Sequence, residues 1–229
     1  VADSGSGNML TASSFGNGKF IIVAEVSGDV DNLSNTQAVR GRDIVAQIFE
    51  NDGTPIGSAF EIHPDGAGNN WNLEYHQSNP SVAELKDGGF VVAWNEARGQ
   101  TNGQGAWVKR FDEMGNPVGS AQKVSSDVLN GSYDNNQTKV DVAALEDGGY
   151  VVTWRDVSEY VAPFYQSNLY GHRFDSNGQS VVPNGETHGE FKVNTSASPL
   201  DDNYSYINPS VTGLTDGGIA FVWEEAFHS

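Results

Sequence analysis

The sequence predicts an all-β fold, a partial β-propeller of about 3.5 four-stranded antiparallel blades. Three observations predict it. One glycine-punctuated strand motif occurs four times in the 229 residues. A second motif, ending in an acid-x-x-Gly turn, occurs three times and alternates with the first. No stretch longer than about two turns carries a helical period.

The first motif reads Phe15-Gly-Asn-Gly-Lys-Phe-Ile-Ile-Val-Ala24, Leu85-Lys-Asp-Gly-Gly-Phe-Val-Val-Ala-Trp94, Leu145-Glu-Asp-Gly-Gly-Tyr-Val-Val-Thr-Trp154 and Leu214-Thr-Asp-Gly-Gly-Ile-Ala-Phe-Val-Trp223. The second reads Ile44-Val-Ala-Gln-Ile-Phe-Glu-Asn-Asp-Gly53, Ala106-Trp-Val-Lys-Arg-Phe-Asp-Glu-Met-Gly115 and Leu169-Tyr-Gly-His-Arg-Phe-Asp-Ser-Asn-Gly178. Two interleaved motifs in constant order define a structural repeat, and internal repeats decide architecture before any local propensity does.

Each unit reads as four strands. Strand A is the short run before the glycines, Val82 to Leu85 or Val142 to Leu145. Asp-Gly-Gly supplies positive φ for a tight hairpin. Strand B is the β-branched and aromatic run Phe90 to Trp94, or Tyr150 to Trp154. Strand C is Ala106 to Phe111, or Leu169 to Phe174, closed by a turn whose Asp caps backbone N–H groups. Strand D is short: Phe60 to Ile62, Gln122 to Val124, Phe191 to Val193. Strand B is apolar at nearly every position, so both of its faces need cover. Blades packed side by side provide it. A β-trefoil is disfavoured because its units are shorter and a fourth A–B hairpin has no place in it; a β-sandwich is the third alternative. The chain reads as one repeat domain over 1–229, with units at about 10–79, 80–138 and 139–208 and a half unit at 209–229. A ring cannot close on a half blade, so the expectation is part of a longer propeller or of an assembly.

Composition bounds function. Lys and Arg number 12 against 30 Asp and Glu, a net charge of −18. Such a surface repels phosphate backbones and anionic lipids, which argues against nucleic-acid and membrane-surface roles. There is no cysteine, hence no disulfide, thiolate metal site or cysteine nucleophile. The longest apolar run, Phe20 to Ala24, is far short of a membrane span. No basic, apolar signal-peptide pattern opens the chain at Val1-Ala-Asp-Ser-Gly5.

The motifs LKDGGFVVAW, LEDGGYVVTW and YGHRFDSNG, with Val193-Asn194-Thr195 closing the unit, resemble the repeats of large secreted bacterial proteins of the hemolysin-type calcium-binding, RTX-like adhesin group. The resemblance implies a secreted or cell-surface location, no catalytic residues and Ca²⁺ as a candidate ligand. The calcium-binding G-G-x-G-x-D nonapeptide is absent; Asp65-Gly-Ala-Gly68 and Gly28-Asp-Val-Asp31 are fragments of it.

Strand parity places the tight A–B and C–D turns at one end and all long connections at the other. The long ones are Ser27 to Asp43, Asn95 to Gly105, Arg155 to Asn168, His63 to Pro80, Ser125 to Thr138 and Asn194 to Pro209. Recognition sits on such loops. Aromatic residues in them, Trp71, Tyr75, His76, Tyr160, Tyr165, Tyr204 and Tyr206, are the candidate ligand-binding set, since flat rings stack on sugars or anchor a protein partner. Two residues after the strand-B Trp stands an acid in three units: Glu96, Asp156 and Glu225. Pseudo-symmetry sets these in an arc, and with Asp29, Asp31 and Asp43 they are the candidate Ca²⁺ ligands. Solvated strand ends or pairing with arginines is the plainer alternative. Metalloprotease, phosphate-loop, G-x-S-x-G and dinucleotide motifs are absent. His172 aligns with Lys109 and Gln47 and reads as a strand-C surface position. The expected function is a secreted binding or adhesion module for a glycan or protein. A structural subunit, recruiting itself or a neighbouring chain through the half-blade edge, is the alternative. A polysaccharide-active enzyme, working through two carboxylates, comes third.

Overall fold

The structure is a computed structural model, and it describes residues 9–27, 42–63, 75–98, 104–125, 137–161, 164–182, 189–194 and 204–227. Fifteen strands form three meanders and a two-stranded remnant. The first blade holds β1 (Leu10–Ser14), β2 (Phe20–Ser27), β3 (Arg42–Phe49) and β4 (Pro55–Glu61). The second holds β5 (Tyr75–Glu84), β6 (Phe90–Arg98), β7 (Gln104–Phe111) and β8 (Pro117–Lys123). The third holds β9 (Gln137–Ala144), β10 (Tyr150–Val161), β11 (Phe164–Phe174) and a split fourth strand, β12 (Ser180–Val181) and β13 (Glu190–Lys192). The remnant is β14 (Tyr204–Gly213) and β15 (Ile219–Phe227). Pairing within each blade is antiparallel, and one parallel bridge, Arg42 to His76, joins the first two. The fold is the all-β partial propeller the repeats predict.

The hairpins show why the motif is D-G-G. Gly88 N–H donates to Leu85 O at 3.0 Å and Leu85 N–H to Gly89 O at 2.8 Å, while Asp87 Oδ1 accepts Gly89 N–H at 3.0 Å. Only the first glycine needs the left-handed region: φ is 86° at both Gly88 and Gly148. The second is required by crowding, because a Cβ on Gly89 or Gly149 would overlap the carbonyl oxygen of Phe111 or Phe174.

Packing explains the apolar B strands. Alternate residues of a strand point to opposite faces. Phe90, Val92 and Trp94 enter one core with Ile21, Val23, Ile44 and Ile48 of the first blade. Val91 and Ala93 enter the next, with Tyr150, Val152 and Trp154 of the third blade. Val151 then turns to a smaller cluster with Val211 of the remnant. The second and third sheets are thus wedges buried on both faces. At roughly 25 cal/mol per Å² of apolar surface, these interfaces dominate the stability. Among the described residues the remnant has neither a next blade nor a third strand: Val222 is 65% and Trp223 36% exposed, whereas Trp94 and Trp154 are 0% and 1% exposed.

Several boundaries differ from those read in sequence. Strand A is longer, because β5, β9 and β14 continue through a bulge at Asn79, Lys139 and Asn208, whose φ values are 51°, 55° and 51°. Repeat boundaries at 79/80, 138/139 and 208/209 therefore fall inside strands. Arg155 to Asn168, read as a loop, is mostly the extended hairpin of β10 and β11. His172 is an inter-blade tie as well as a strand-C position. Its Nδ1 lies 3.0 Å from Val124 O, as Lys109 Nζ lies 2.8 Å from Ile62 O one blade earlier.

Candidate functional site

The bulged strand ends build a polar floor at the long-connection end. Register sets Gln77 opposite Glu96, Gln137 opposite Asp156 and Tyr206 opposite Glu225. The pseudo-symmetric carboxylate position read in sequence is therefore real on three successive blades. Glu96 and Asp156 are 1% and 5% exposed, and Glu225, on the uncovered remnant, is exposed.

Glu96 sits in a corner between the first two blades. Glu96 Oε2 accepts the Trp94 Nε1–H at 3.1 Å and lies 4.0 Å from His63 Nε2. The His63 ring stacks toward Trp94 and Trp107, with centroids at 5.7 and 6.1 Å. Gln77 locks this corner: its Oε1 accepts Ile44 N–H at 3.2 Å and its Nε2 donates to His63 O at 2.8 Å. One blade on, Gln137 Oε1 accepts the Ser125 hydroxyl at 3.2 Å, and Ser125 Oγ accepts Ala106 N–H at 3.0 Å. Asn194 repeats the scheme in the third blade, accepting Leu169 N–H at 2.7 Å and donating to Asn168 Oδ1 at 3.0 Å. Amide and hydroxyl side chains thus satisfy the buried strand ends and hold the acids' neighbours rigid.

Glu25 belongs to a different row. It aligns with Asn95, one residue after the Trp position, and both reach to the next blade. Glu25 accepts Arg42 Nη1–H at 2.8 Å and Asn79 N–H at 3.3 Å, and Asn95 Nδ2 donates to Gln137 O at 2.9 Å. The Asn79 and Gln137 contacts are blade-to-blade ties, and Arg42 braces Glu25 within its own blade.

The other expected residues are scattered by comparison. Trp71, Asp29 and Asp31 lie outside the described residues. Tyr75, His76, Tyr204 and Tyr206 stand on strands β5 and β14, where loops were expected. Tyr160 and Tyr165 face each other in register across the β10–β11 hairpin. Asp43 pairs in register with Val26 on β2. Among the described residues, no group of three or more acidic or histidine side chains is close enough to hold a metal ion. Also among them, no helix is long and apolar enough to cross a membrane.

The opposite, tight-turn end has a cleft of about 560 Å³ that sequence reasoning missed, because it is assembled from turns of all four units. Three of its lining charges, Glu84, Lys86 and Glu146, hold blades together. Lys86 Nζ donates to Glu146 O at 2.7 Å and to its Oε2 at 3.2 Å, and Glu84 Oε1 accepts Gly16 N–H at 2.7 Å.

Against known proteins, no family model matches the chain and no curated protein matches it. Among solved structures, it is similar to the Penicillium chrysogenum α-L-arabinanase complexed with arabinobiose. The TM-score is 0.52 at 15% identity, over 91% of this chain and 55% of that one. It is also similar to the GH43 endo-arabinanase from Bacillus licheniformis (TM-score 0.45, 15% identity, 93% and 71% covered). A third is Zg3597, a family 117 glycoside hydrolase produced by Zobellia galactanivorans (TM-score 0.47, 10% identity, 86% and 58% covered). The chain spans between 55% and 71% of the length of these three structures. At this identity the likeness to the Penicillium chrysogenum enzyme bears on the fold alone. The expectation of a binding or adhesion module, with a structural subunit as its alternative, is overturned here by the likeness to the arabinanase. The physical reason for the misreading is that long loops on a rigid scaffold serve a binder and an enzyme equally.

Proposed function

We propose that this propeller acts on a polysaccharide, hydrolysing glycosidic bonds at its long-connection end. The observation that carries the reading is the row Glu96, Asp156 and Glu225, one carboxylate at the same strand position on each of three successive blades. Glycosidic hydrolysis needs two carboxyl groups flanking the bond. One donates a proton to the bridging oxygen as the C–O bond breaks. The other takes a proton from the attacking water, so one water is consumed per bond. Asp156 and Glu225, at equivalent positions on neighbouring units, are the proposed pair, and Tyr206, opposite Glu225, offers a ring on which a sugar can stack. The shared fold with an arabinanase that was crystallised with arabinobiose supports a glycan as substrate. The net charge of −18 favours a neutral polysaccharide over a sulfated or uronate-rich one.

The test is release of new reducing ends from neutral polysaccharides, arabinan first, with uronate-rich polymers as controls. Activity is expected on a neutral polymer, falling roughly 100-fold or more in Asp156→Asn or Glu225→Gln. No new reducing ends on any polymer, or full activity in both folded variants, would refute the reading.

A further inference from the structure

We propose that the free edge of β15 is a docking site for an antiparallel β-hairpin whose first strand reads aromatic-x-x-Arg-Phe-Asp. Two sister blades show what such a strand does. In the second, Trp107, Arg110 and Phe111 stand opposite Trp94, Val91 and Phe90; in the third, Tyr170, Arg173 and Phe174 stand opposite Trp154, Val151 and Tyr150. Phe111 stacks on Phe90 at 5.1 Å and Phe174 on Tyr150 at 4.8 Å. Trp107 stacks with Trp94 at 6.5 Å and Tyr170 with Trp154 at 6.4 Å. Among the described residues, β15 pairs with β14 alone, Trp223 has no ring partner, and Val222 is 65% exposed.

The turn aspartate specifies the arginine. Asp87 uses Oδ1 for its own turn, on Gly89 N–H, and Oδ2 for Arg110 Nη2 at 2.9 Å. Asp147 does the same with Gly149 N–H and Arg173. The first blade has Asn17 at this position, which still serves its turn by accepting Lys19 N–H at 3.1 Å. There strand C carries Ile48 in place of arginine, opposite Ile21. Turn acid and strand-C arginine therefore occur together or not at all. The remnant has Asp216. Its Oδ1 accepts Gly218 N–H at 2.9 Å, and among the described residues nothing reaches Oδ2. An acid whose second oxygen is idle, beside an uncovered Trp223, is the imprint of a strand of that chemistry. Completion adds two β-type edges and an aromatic pair, a strand-addition mode of recognition.

The experiment appends the Gln104–Lys123 hairpin after Ser229 through a flexible linker of about six residues. Its Trp107 is changed to Tyr, so the added segment brings no tryptophan. Acrylamide quenching of tryptophan should fall, and Tm should rise by several degrees. Asp216→Asn in the chain, or R110A in the appended copy, should cut that rise. D216N alone should leave Tm unchanged, since Asn keeps the turn as Asn17 does. An appended hairpin that alters neither quenching nor Tm would overturn the proposal. So would a gain that D216N and R110A leave intact. A chain that is already dimeric by light scattering, with its Trp223 shielded from acrylamide, would assign the edge to a second copy and overturn it as well.

Discussion

Asp141 is the side chain on which three blades converge, and its removal has a calculable cost. Asp141 Oδ1 accepts the Ser81 hydroxyl of β5 at 2.7 Å. Its Oδ2 accepts the Ser210 hydroxyl and Val211 N–H of β14, both at 2.9 Å. Ser81 Oγ in turn accepts Val142 N–H at 3.3 Å, so the serine is fixed from both sides. Hydrogen bonds to a charged acceptor contribute about 1.5–3 kcal/mol each when shielded and far less when open to water. The Ser81 and Val211 bonds are partly buried and the Ser210 bond is exposed. Asp141→Ala should therefore lower unfolding free energy by about 2–4 kcal/mol. Asp141→Asn should cost only about 1 kcal/mol. Its amide can donate to Ser81 Oγ, which has a free lone pair, while its oxygen keeps the β14 contacts. The assay is the urea midpoint followed by tryptophan fluorescence, with a Ser81→Ala, Asp141→Ala double-mutant cycle. A D141A loss below about 0.5 kcal/mol, the range of an ordinary surface substitution, or a cycle with no coupling would refute the claim that this carboxylate joins the blades.

Three further outcomes follow from the same geometry. Gly149→Ala should destabilise by about 1–3 kcal/mol in thermal or urea unfolding, because the new methyl overlaps the Phe174 carbonyl, whereas Gly218→Ala, with no strand C beside it, should cost much less. Trp94→Ala should cost about 3–5 kcal/mol and Trp223→Ala a fraction of that, reflecting 0% against 36% exposure; equal losses by urea titration would contradict the uncovered edge. Burial holds the His172 pKa below its usual 6.5, against the opposing pull of the Val124 carbonyl and Glu190. As pH falls from about 6.5 towards that lowered pKa, the unfolded chain binds a proton that the folded chain does not, so stability falls and then levels off. His172→Gln should flatten that part of the pH–stability curve, and an unchanged slope between pH 7 and 5 would exclude it.

What sequence could and could not convey divides along physical lines. D-G-G and D-x-x-G turns are local: Asp, its N–H acceptors and a positive-φ glycine lie within five residues, so the hairpins and their order were legible. Continuous apolar B strands carried the two-faced packing seen at Phe90 to Trp94. Strand ends were misjudged because Asn79, Lys139 and Asn208 hold positive φ inside strands, and Asn79-Pro80 and Asn208-Pro209 look like loop. The β10–β11 extension was missed although Val161, Phe164 and Tyr165 are strand formers, since the repeat placed a connection there. Asp141 was invisible: Ser81 and Ser210 stand 60 and 69 residues away and meet it only through blade stacking. At the site, the Glu96, Asp156, Glu225 row was legible as a repeat. The burial of Glu96 beside Trp94 and His63 depends on blade stacking, which local sequence does not show. Function was misread because aromatic loops and an acidic surface are common to binders and hydrolases.

Hydrolysis by the carboxylate row is tested most directly by running a neutral polysaccharide digest in oxygen-18-labelled water and weighing the products. One heavy oxygen per new reducing end is expected from the native chain, with none above background from Asp156→Asn. Unlabelled or unsaturated products, or labelling that survives in the variant, would contradict the account.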